Sequence, residues 1–402
     1  MKESILKIGY VSILNFINLG LGLVLFLSLA QRLTIEDFGI YALLTLLLVS
    51  LSKIIDFGSN STFVSEFISK GKHSLNEVIS FKIISFLVVS IVSVLILVFV
   101  NKIYDLTIIL TFILGLFFYG INYSLFGLFQ KDEEFFKASM LNFFPAIVKA
   151  IFGGLFVLGF IVPDYTLGFQ VFSISMAASA IFLKFKIKEI KTFKFTFSIK
   201  TFFKKFYLAG ISQAVNESWS TISNQILALL RTLVDLGSFS LASKLSNVFS
   251  LISYSIYTVI LTTNAKRRKF LISYNLTESL ILGIFLIIIA TIGSFIAPIF
   301  FKIFFGNKFD DSIIIFTILL FSQAFASIHK FLDNFFFIEE KSQTLLKFTS
   351  IKLFLFIILS VLLTNTYGII GLAVADLVVS LTITIFTFVY ILNFRKTHFN
   401  IK

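Results

Sequence analysis

The chain has 402 residues, 57% of them hydrophobic and 14% charged, with a net charge of +13 and a mean hydropathy of +0.99. Ordinary soluble domains carry roughly 25% charged residues, so this composition excludes water as the solvent for most of the surface and points to a lipid bilayer. Cysteine is absent and the three histidines, His73, His329 and His398, are scattered, which leaves no disulfide, no thiolate nucleophile and no metal-ligand spacing.

Apolar runs long enough to cross about 30 Å of hydrocarbon at 1.5 Å per residue recur along the whole chain. The expected spans are 9–30, 38–55, 78–100, 104–128, 137–160, 165–184, 204–230, 236–263, 274–302, 311–336, 343–364 and 368–393, about twelve in all. The class is therefore an all-α, polytopic membrane protein. The first run exceeds a signal-peptide core and leads into further spans, so it reads as a retained helix. One connection is long. Lys184–Lys205 is polar and strongly basic and divides the chain into two six-span halves, 1–195 and 196–402.

Basic residues near span ends set the orientation, because cytoplasmic loops are enriched in Lys and Arg. With the N-terminus inside, the cytoplasmic connections hold Lys70 and Lys72, Lys131, the central run from Lys184 to Lys205, Lys266 to Lys269, Lys341, and the tail residues Arg395, Lys396 and Lys402. The opposite connections hold only Arg32, Lys102, Arg231, Lys302 and Lys308. Both termini are thereby expected in the cytoplasm. A nucleic-acid binder would gather its cations on one folded face between stacking aromatics. Here they alternate with spans and face anionic headgroups. Part of the connector, with Lys alternating with Phe and Ile, is expected to lie on the membrane surface.

Six spans return the chain to its starting face, so a duplication would be parallel. An echo supports it. Arg32-Leu33-Thr34-Ile35-Glu36-Asp37-Phe38-Gly39-Ile40-Tyr41 follows span one, and Arg231-Thr232-Leu233-Val234-Asp235-Leu236-Gly237-Ser238-Phe239 follows span seven. Each has Arg, an acidic residue, and Gly with an aromatic two positions on.

Ionisable groups inside hydrocarbon are costly and point to a bundle interior or wet cavity. Span one carries Asn15 and Asn18, and span two ends with Lys53 and Asp56, which read as a terminal pair. Span five places Lys149 near its middle, four residues after Pro145, whose missing N–H kinks the helix or breaks one turn of its hydrogen bonding; Pro145 is the candidate gating residue, the alternative being a static packing kink. Gly153 and Gly154 follow and permit close helix approach. Span seven is the most polar: Gln213, Asn216, Glu217, Ser220, Thr221 and Asn224 recur at three- and four-residue spacing, forming one stripe that lines water or binds another polar helix. Glu217 is the candidate carboxylate for proton or sodium coupling, the alternative being a structural salt bridge. Span eight adds Lys244, span ten His329, Lys330 and Asp333, and span eleven Lys352. Lys149, Lys244 and Lys330 together favour an anionic cargo if they share a cavity.

The chain resembles the bacterial polysaccharide-biosynthesis membrane proteins, the lipid-linked oligosaccharide flippases. The resemblance rests on Arg32-Leu33 with Asp37-Phe38-Gly39-Ile40-Tyr41-Ala42, on Gly237-Ser238-Phe239-Ser240-Leu241-Ala242-Ser243-Lys244-Leu245, on Phe304-Phe305-Gly306-Asn307-Lys308-Phe309 with Ser312, and on Tyr367-Gly368-Ile369-Ile370-Gly371-Leu372-Ala373-Val374-Ala375. Each motif is short and degenerate, and their order and spacing over the whole chain carry the likeness. It implies the multidrug/oligosaccharidyl-lipid/polysaccharide exporter fold, two six-helix lobes around a central cavity. It also implies transfer of an undecaprenyl-diphosphate-linked oligosaccharide across the cytoplasmic membrane, with glycan-assembly proteins as partners and Lys149, Lys244 and Lys330 as substrate-binding residues. No cofactor, metal or catalytic constellation is expected. The alternatives are a drug/cation antiporter of the same superfamily and a membrane glycan polymerase or ligase. Deep lysines argue against the first, and short outer loops against the second.

Overall fold

The computed structural model describes residues 2–60, 63–64, 75–196, 198, 210, 219–249, 276–339 and 341–399. All regular structure among them is helical: α1 (Lys2–Arg32), α2 (Ile35–Asp56), α3 (Leu75–Leu95, closed by a π-helical turn Ile96–Val100), α4 (Leu106–Lys131), α5 (Phe135–Val157) and α6 (Tyr165–Ile174). Helix α6 tightens into a 3-10 helix over Ser175–Lys186. Then follow α7 (Trp219–Leu230), α8 (233–249), α9 (Leu276–Phe305), α10 (Asp310–Ile338) and α11 (Ser342–Phe399). Among the described residues nine helical segments are long and apolar enough to cross a membrane. The chain is a multi-pass α-helical membrane protein.

Polar side chains start the helices where the sequence supplies them. The Thr34 hydroxyl accepts from the Asp37 N–H at 3.1 Å and opens α2, Asp105 accepts from the Thr107 N–H at 2.7 Å and opens α4, and Asp164 accepts from the Leu167 N–H at 2.6 Å and opens α6. Helix α2 ends where Phe57 and Gly58 turn left-handed, at φ 40° and 70°. The longest run, α11, is two spans in one. Gly368 has φ 66° and ψ −145°, which breaks the helix, and the limbs fold back so that Phe348 and Tyr390 meet at 5.7 Å between ring centres. These limbs correspond to the expected spans 343–364 and 368–393.

Met1–Thr221 and Ile222–Lys402 form two compact units. In the first, α1 packs along α5 so closely that a Cβ on Gly153 would lie 2.8 Å from the Leu25 backbone. The aromatic rings of Phe26, Phe38, Tyr41 and Phe172 tie α1, α2 and α6 together at 5.0–6.4 Å. In the second, α10 lies between α9 and the second limb of α11, with Leu276, Ile328, Leu332, Phe335, Phe336 and Ile391 forming a buried cluster.

The echo noted in the sequence has a structural counterpart inside each unit. Thr232 and Asp235 repeat the capping bond of Thr34 and Asp37: the Asp235 N–H donates to the Thr232 hydroxyl at 3.1 Å, while the return bond to the carboxylate comes from the Thr232 N–H at 3.3 Å and, at the first site, from the Thr34 hydroxyl at 2.7 Å. Phe38 and Tyr41 are buried after the first cap, and Leu236 and Phe239 after the second. The preceding arginines also match. Arg32 donates to the Val157 carbonyl beside Gly159, at φ 79°, in the turn between α5 and α6. Arg231 lies against Gly368 in the turn within α11, where a Cβ would come 2.9 Å from a guanidinium nitrogen.

Candidate functional site

Lys149 is 9% exposed in α5, and its ammonium sits 3.9 Å from the centre of the Phe172 ring of α6. A cation over a ring face is attracted by the quadrupole, more strongly when desolvated. One turn earlier, Pro145 cannot donate to the Leu141 carbonyl as a helical residue would. Asn122 of α4 replaces that donor, its amide reaching the Leu141 carbonyl at 3.3 Å and the Asn142 side chain at 3.4 Å. Helix α5 therefore continues through Pro145 with its freed carbonyl satisfied from a neighbour. Asn18 of α1 adds a bond to the Ser139 carbonyl at 3.3 Å.

A second polar centre lies in the same unit, and of its members the sequence reading named Asp56 but not Lys82. Asp56, at the end of α2, pairs with Lys82 of α3 at 3.0 Å. The Lys82 ammonium also donates to Asn60 at 2.7 Å, Asn60 donates to the Tyr123 carbonyl at 2.8 Å, and the Ser59 hydroxyl donates to Asp56 at 3.3 Å. Asp56 and Lys82 are 5% and 4% exposed. Asp56, expected from the sequence to belong to a terminal pair with Lys53, is met by Lys82 from the adjoining helix. The available signal was Lys82 itself, an ionisable residue inside a span.

In the second unit α10 and α11 hold a third centre. His329 is buried, with Nε2 3.7 Å from Asp333 and Nδ1 3.3 Å from the Thr387 hydroxyl. Asp376, in the second limb of α11, accepts from Ser322 at 2.9 Å, and Ser322 also bonds Ser380 at 3.2 Å. Lys352 interacts electrostatically with both Asp376 and Asp333. Lys330 shares the field around Asp333 but is exposed. Asp376 was the missed residue here, a lone carboxylate in an apolar span.

The remaining expected site residues are distributed as follows. Asn224 of α7 is buried and accepts from the Ser240 hydroxyl of α8 at 3.1 Å, so it joins two helices. Lys244 is exposed on α8. Ser220 lies in α7, and Gln213, Asn216 and Glu217 lie outside the described residues. Among the described residues no group of three or more His, Cys, Asp or Glu is placed to hold a metal ion.

Between α4 and α5, Asp132 bonds Lys186 and lies 3.1 Å from Lys131, while Glu134 meets Lys137 at 2.6 Å and Lys186 at 3.3 Å. Partial burial raises the Asp132 carboxyl, but the bonds from Lys186 and Lys131 outweigh it and hold the group below its ordinary range. The bond from Lys137 acts most strongly on Glu134, and together with the weaker influence of Lys186 it outweighs burial and holds the carboxyl below its ordinary range.

Apolar helices that carry buried ionic and polar centres between them define a polytopic membrane protein. The family model described as polysaccharide biosynthesis protein matches residues 5–266, and the chain belongs to that family. No curated protein matches it in sequence. Among solved structures, a lipid II flippase MurJ in an inward closed conformation is 18% identical with a TM-score of 0.75, covering 95% of this chain and 87% of that one. An inward-facing multidrug resistance MATE family transporter of the MOP superfamily is 13% identical with a TM-score of 0.69, covering 94% and 96%. A Vibrio cholerae MATE transporter is 13% identical with a TM-score of 0.59, covering 98% of each chain. At these identities the likeness is one of fold, shared with the MurJ flippase and the MATE transporters.

Proposed function

We propose that the protein moves an undecaprenyl-diphosphate-linked oligosaccharide from the inner to the outer leaflet of the bacterial cytoplasmic membrane. The observation that carries this reading is the polysaccharide biosynthesis match across residues 5–266, in a chain that shares its fold with a lipid II flippase. In this reading about twelve spans form two six-helix lobes around a central cavity, with both termini cytoplasmic. The lobes rock to expose the cavity to each side in turn. The lipid tail stays in the bilayer while the headgroup crosses.

Lys149 is assigned to the diphosphate. Its charge is carried in a low-dielectric setting, where attraction to an anion is stronger than in water, and its Phe172 contact holds the ammonium in place. Lys244 and Lys330 are assigned to the same anionic headgroup, Pro145 to the flexing of α5, and Glu217 to coupling with a proton or sodium gradient. Gln213, Asn216, Ser220 and Asn224 complete the polar stripe beside Glu217. Glycan-assembly proteins would deliver and receive the cargo.

The charge assignment is tested in liposomes with two labelled polyprenyl lipids, one bearing a diphosphate and one neutral. Lys149→Ala and Lys244→Ala are expected to slow the diphosphate lipid by about tenfold, equivalent to roughly 1.4 kcal/mol, while the neutral lipid is unaffected. Equal slowing of both would defeat the charge role. A second reading, a drug/cation antiporter, is favoured by the fold shared with MATE transporters and by the buried carboxylate of Asp376. Uptake of an organic cation against a proton gradient, lost in Asp376→Asn, would support it.

A further inference from the structure

A cavity of about 320 Å³ lies between α3 and α4, near the low end of the roughly 300–1,000 Å³ typical of small-ligand sites. Its walls are apolar, with Ile79, Ile83 and Phe86 from α3 facing Phe117 from α4. Lys82 contributes to the lining, but its ammonium is held by Asp56 at 3.0 Å and Asn60 at 2.7 Å. Its methylene stem is what remains for an occupant.

The wall also takes in Leu183 and Phe193, which bracket the first part of the basic connector. That segment is strapped to α3: the Lys194 N–H donates to the Asn76 side chain at 3.2 Å, and the Thr196 N–H to the Ser80 hydroxyl at 2.8 Å. Lys184 and Lys194, adjacent in sequence to the two wall residues, are exposed, as are Phe185, Ile187 and Phe195. Exposed cations interleaved with exposed apolar side chains are the surface that seats at an anionic lipid interface.

The chemistry of an occupant follows. Both helices that form the walls are candidate membrane spans, so the molecules at hand are lipids. An apolar cavity takes a hydrocarbon chain, and the exposed lysines next in the chain to its wall residues Leu183 and Phe193 take an anion. We propose that the α3–α4 cavity and the connector lysines Lys184 and Lys194 bind one anionic phospholipid, with an acyl chain in the cavity and the phosphate on the lysines. Such a lipid would anchor the connector to one leaflet. The site is separate from the transport assignment.

The test uses the full-length protein purified from nanodiscs of equal phosphatidylglycerol and phosphatidylcholine, with retained lipids counted by native mass spectrometry. The wild type is expected to retain phosphatidylglycerol about tenfold over phosphatidylcholine, as two lysines near a phosphate allow. Lys184→Gln with Lys194→Gln should abolish that preference, Ser124→Phe, which fills the cavity, should reduce retention of both lipids, and Lys308→Gln should change nothing. Equal retention of the two lipids by the wild type, or an unchanged preference in the double lysine variant, would overturn the proposal. So would preferential retention of an added polyprenyl diphosphate through the same two lysines.

Discussion

Pro145 removes one backbone donor from the middle of a membrane helix, and Asn122 restores it from a neighbouring helix. In hydrocarbon an unpaired carbonyl has no water to turn to, so the two residues should be energetically coupled. Asn122→Leu is expected to cost about 1–3 kcal/mol, measured by unfolding in detergent micelles. In a Pro145→Ala background residue 145 donates to Leu141 itself, and the same substitution should cost less by about 1 kcal/mol. Additive effects would refute the compensation. Pro145 could be read from the sequence as a break and Lys149 as a buried cation. Their partners Asn122 and Phe172 could not, because they lie on other helices and nothing local in the chain points to them. The ion pair of Asp56 and Lys82 makes a parallel case. Lys82→Met alone should destabilise by about 3–5 kcal/mol by stranding a buried carboxylate, and Lys82→Met with Asp56→Leu by much less.

Helix ends and helix contacts follow from small, identifiable groups. Thr34 and Thr232 open α2 and α8 by accepting the same N–H bond from the Asp three residues on, and replacing either by Ala should cost about 1 kcal/mol, read as an earlier unfolding transition. Gly and the following aromatic made the echo visible in the sequence, whereas the shared Thr and Asp cap became evident from the hydrogen bonds. Gly153 and Gly154 were equally eligible for a close approach, yet a Cβ on Gly153 meets the Leu25 backbone and one on Gly154 meets nothing within 4 Å. Sequence spacing does not say which side of a helix faces its neighbour when both sides are apolar. Gly153→Leu should therefore separate α1 from α5 and destabilise strongly, while Gly154→Leu is tolerated. At the α4–α5 turn, Asp132 and Glu134 titrate below their ordinary range. The stability they add is present above the unfolded carboxylate pKa and lost as pH falls through the lower folded values, that is below about pH 4. A pH series of melting curves should show this loss, and Asp132→Asn should flatten it.

The molecule as a whole repays the composition that announced it. Among the described residues, bulk hydropathy and the rhythm of apolar runs located the helical spans to within a few residues, including the turn at Gly368 that separates two limbs of one helical run; much of the expected spans 204–230 and 236–263 lies outside the described residues. Each unit then carries its own copy of the Thr–Asp cap and of an arginine lying on a left-handed glycine turn, Arg32 with Gly159 and Arg231 with Gly368. This likeness supports the proposed parallel duplication. The polar centres were less legible, since Asp376 and Lys82 are single letters in apolar runs and acquire meaning through Ser322, Lys352, Asp56 and Asn60. The absence of cysteine makes orientation directly testable. Single cysteines at Lys402 and Asp164 should be labelled by a membrane-impermeant thiol reagent from the inside and the outside of the cell respectively. The central claim, movement of a lipid-linked glycan, is met most directly by a reconstituted assay. A labelled polyprenyl-diphosphate oligosaccharide is placed in the membrane of liposomes that contain the folded protein, and its appearance in the opposite leaflet is timed against protein-free liposomes. Acceleration by at least about tenfold is expected, and a rate equal to that of empty liposomes would rule out flipping of this cargo.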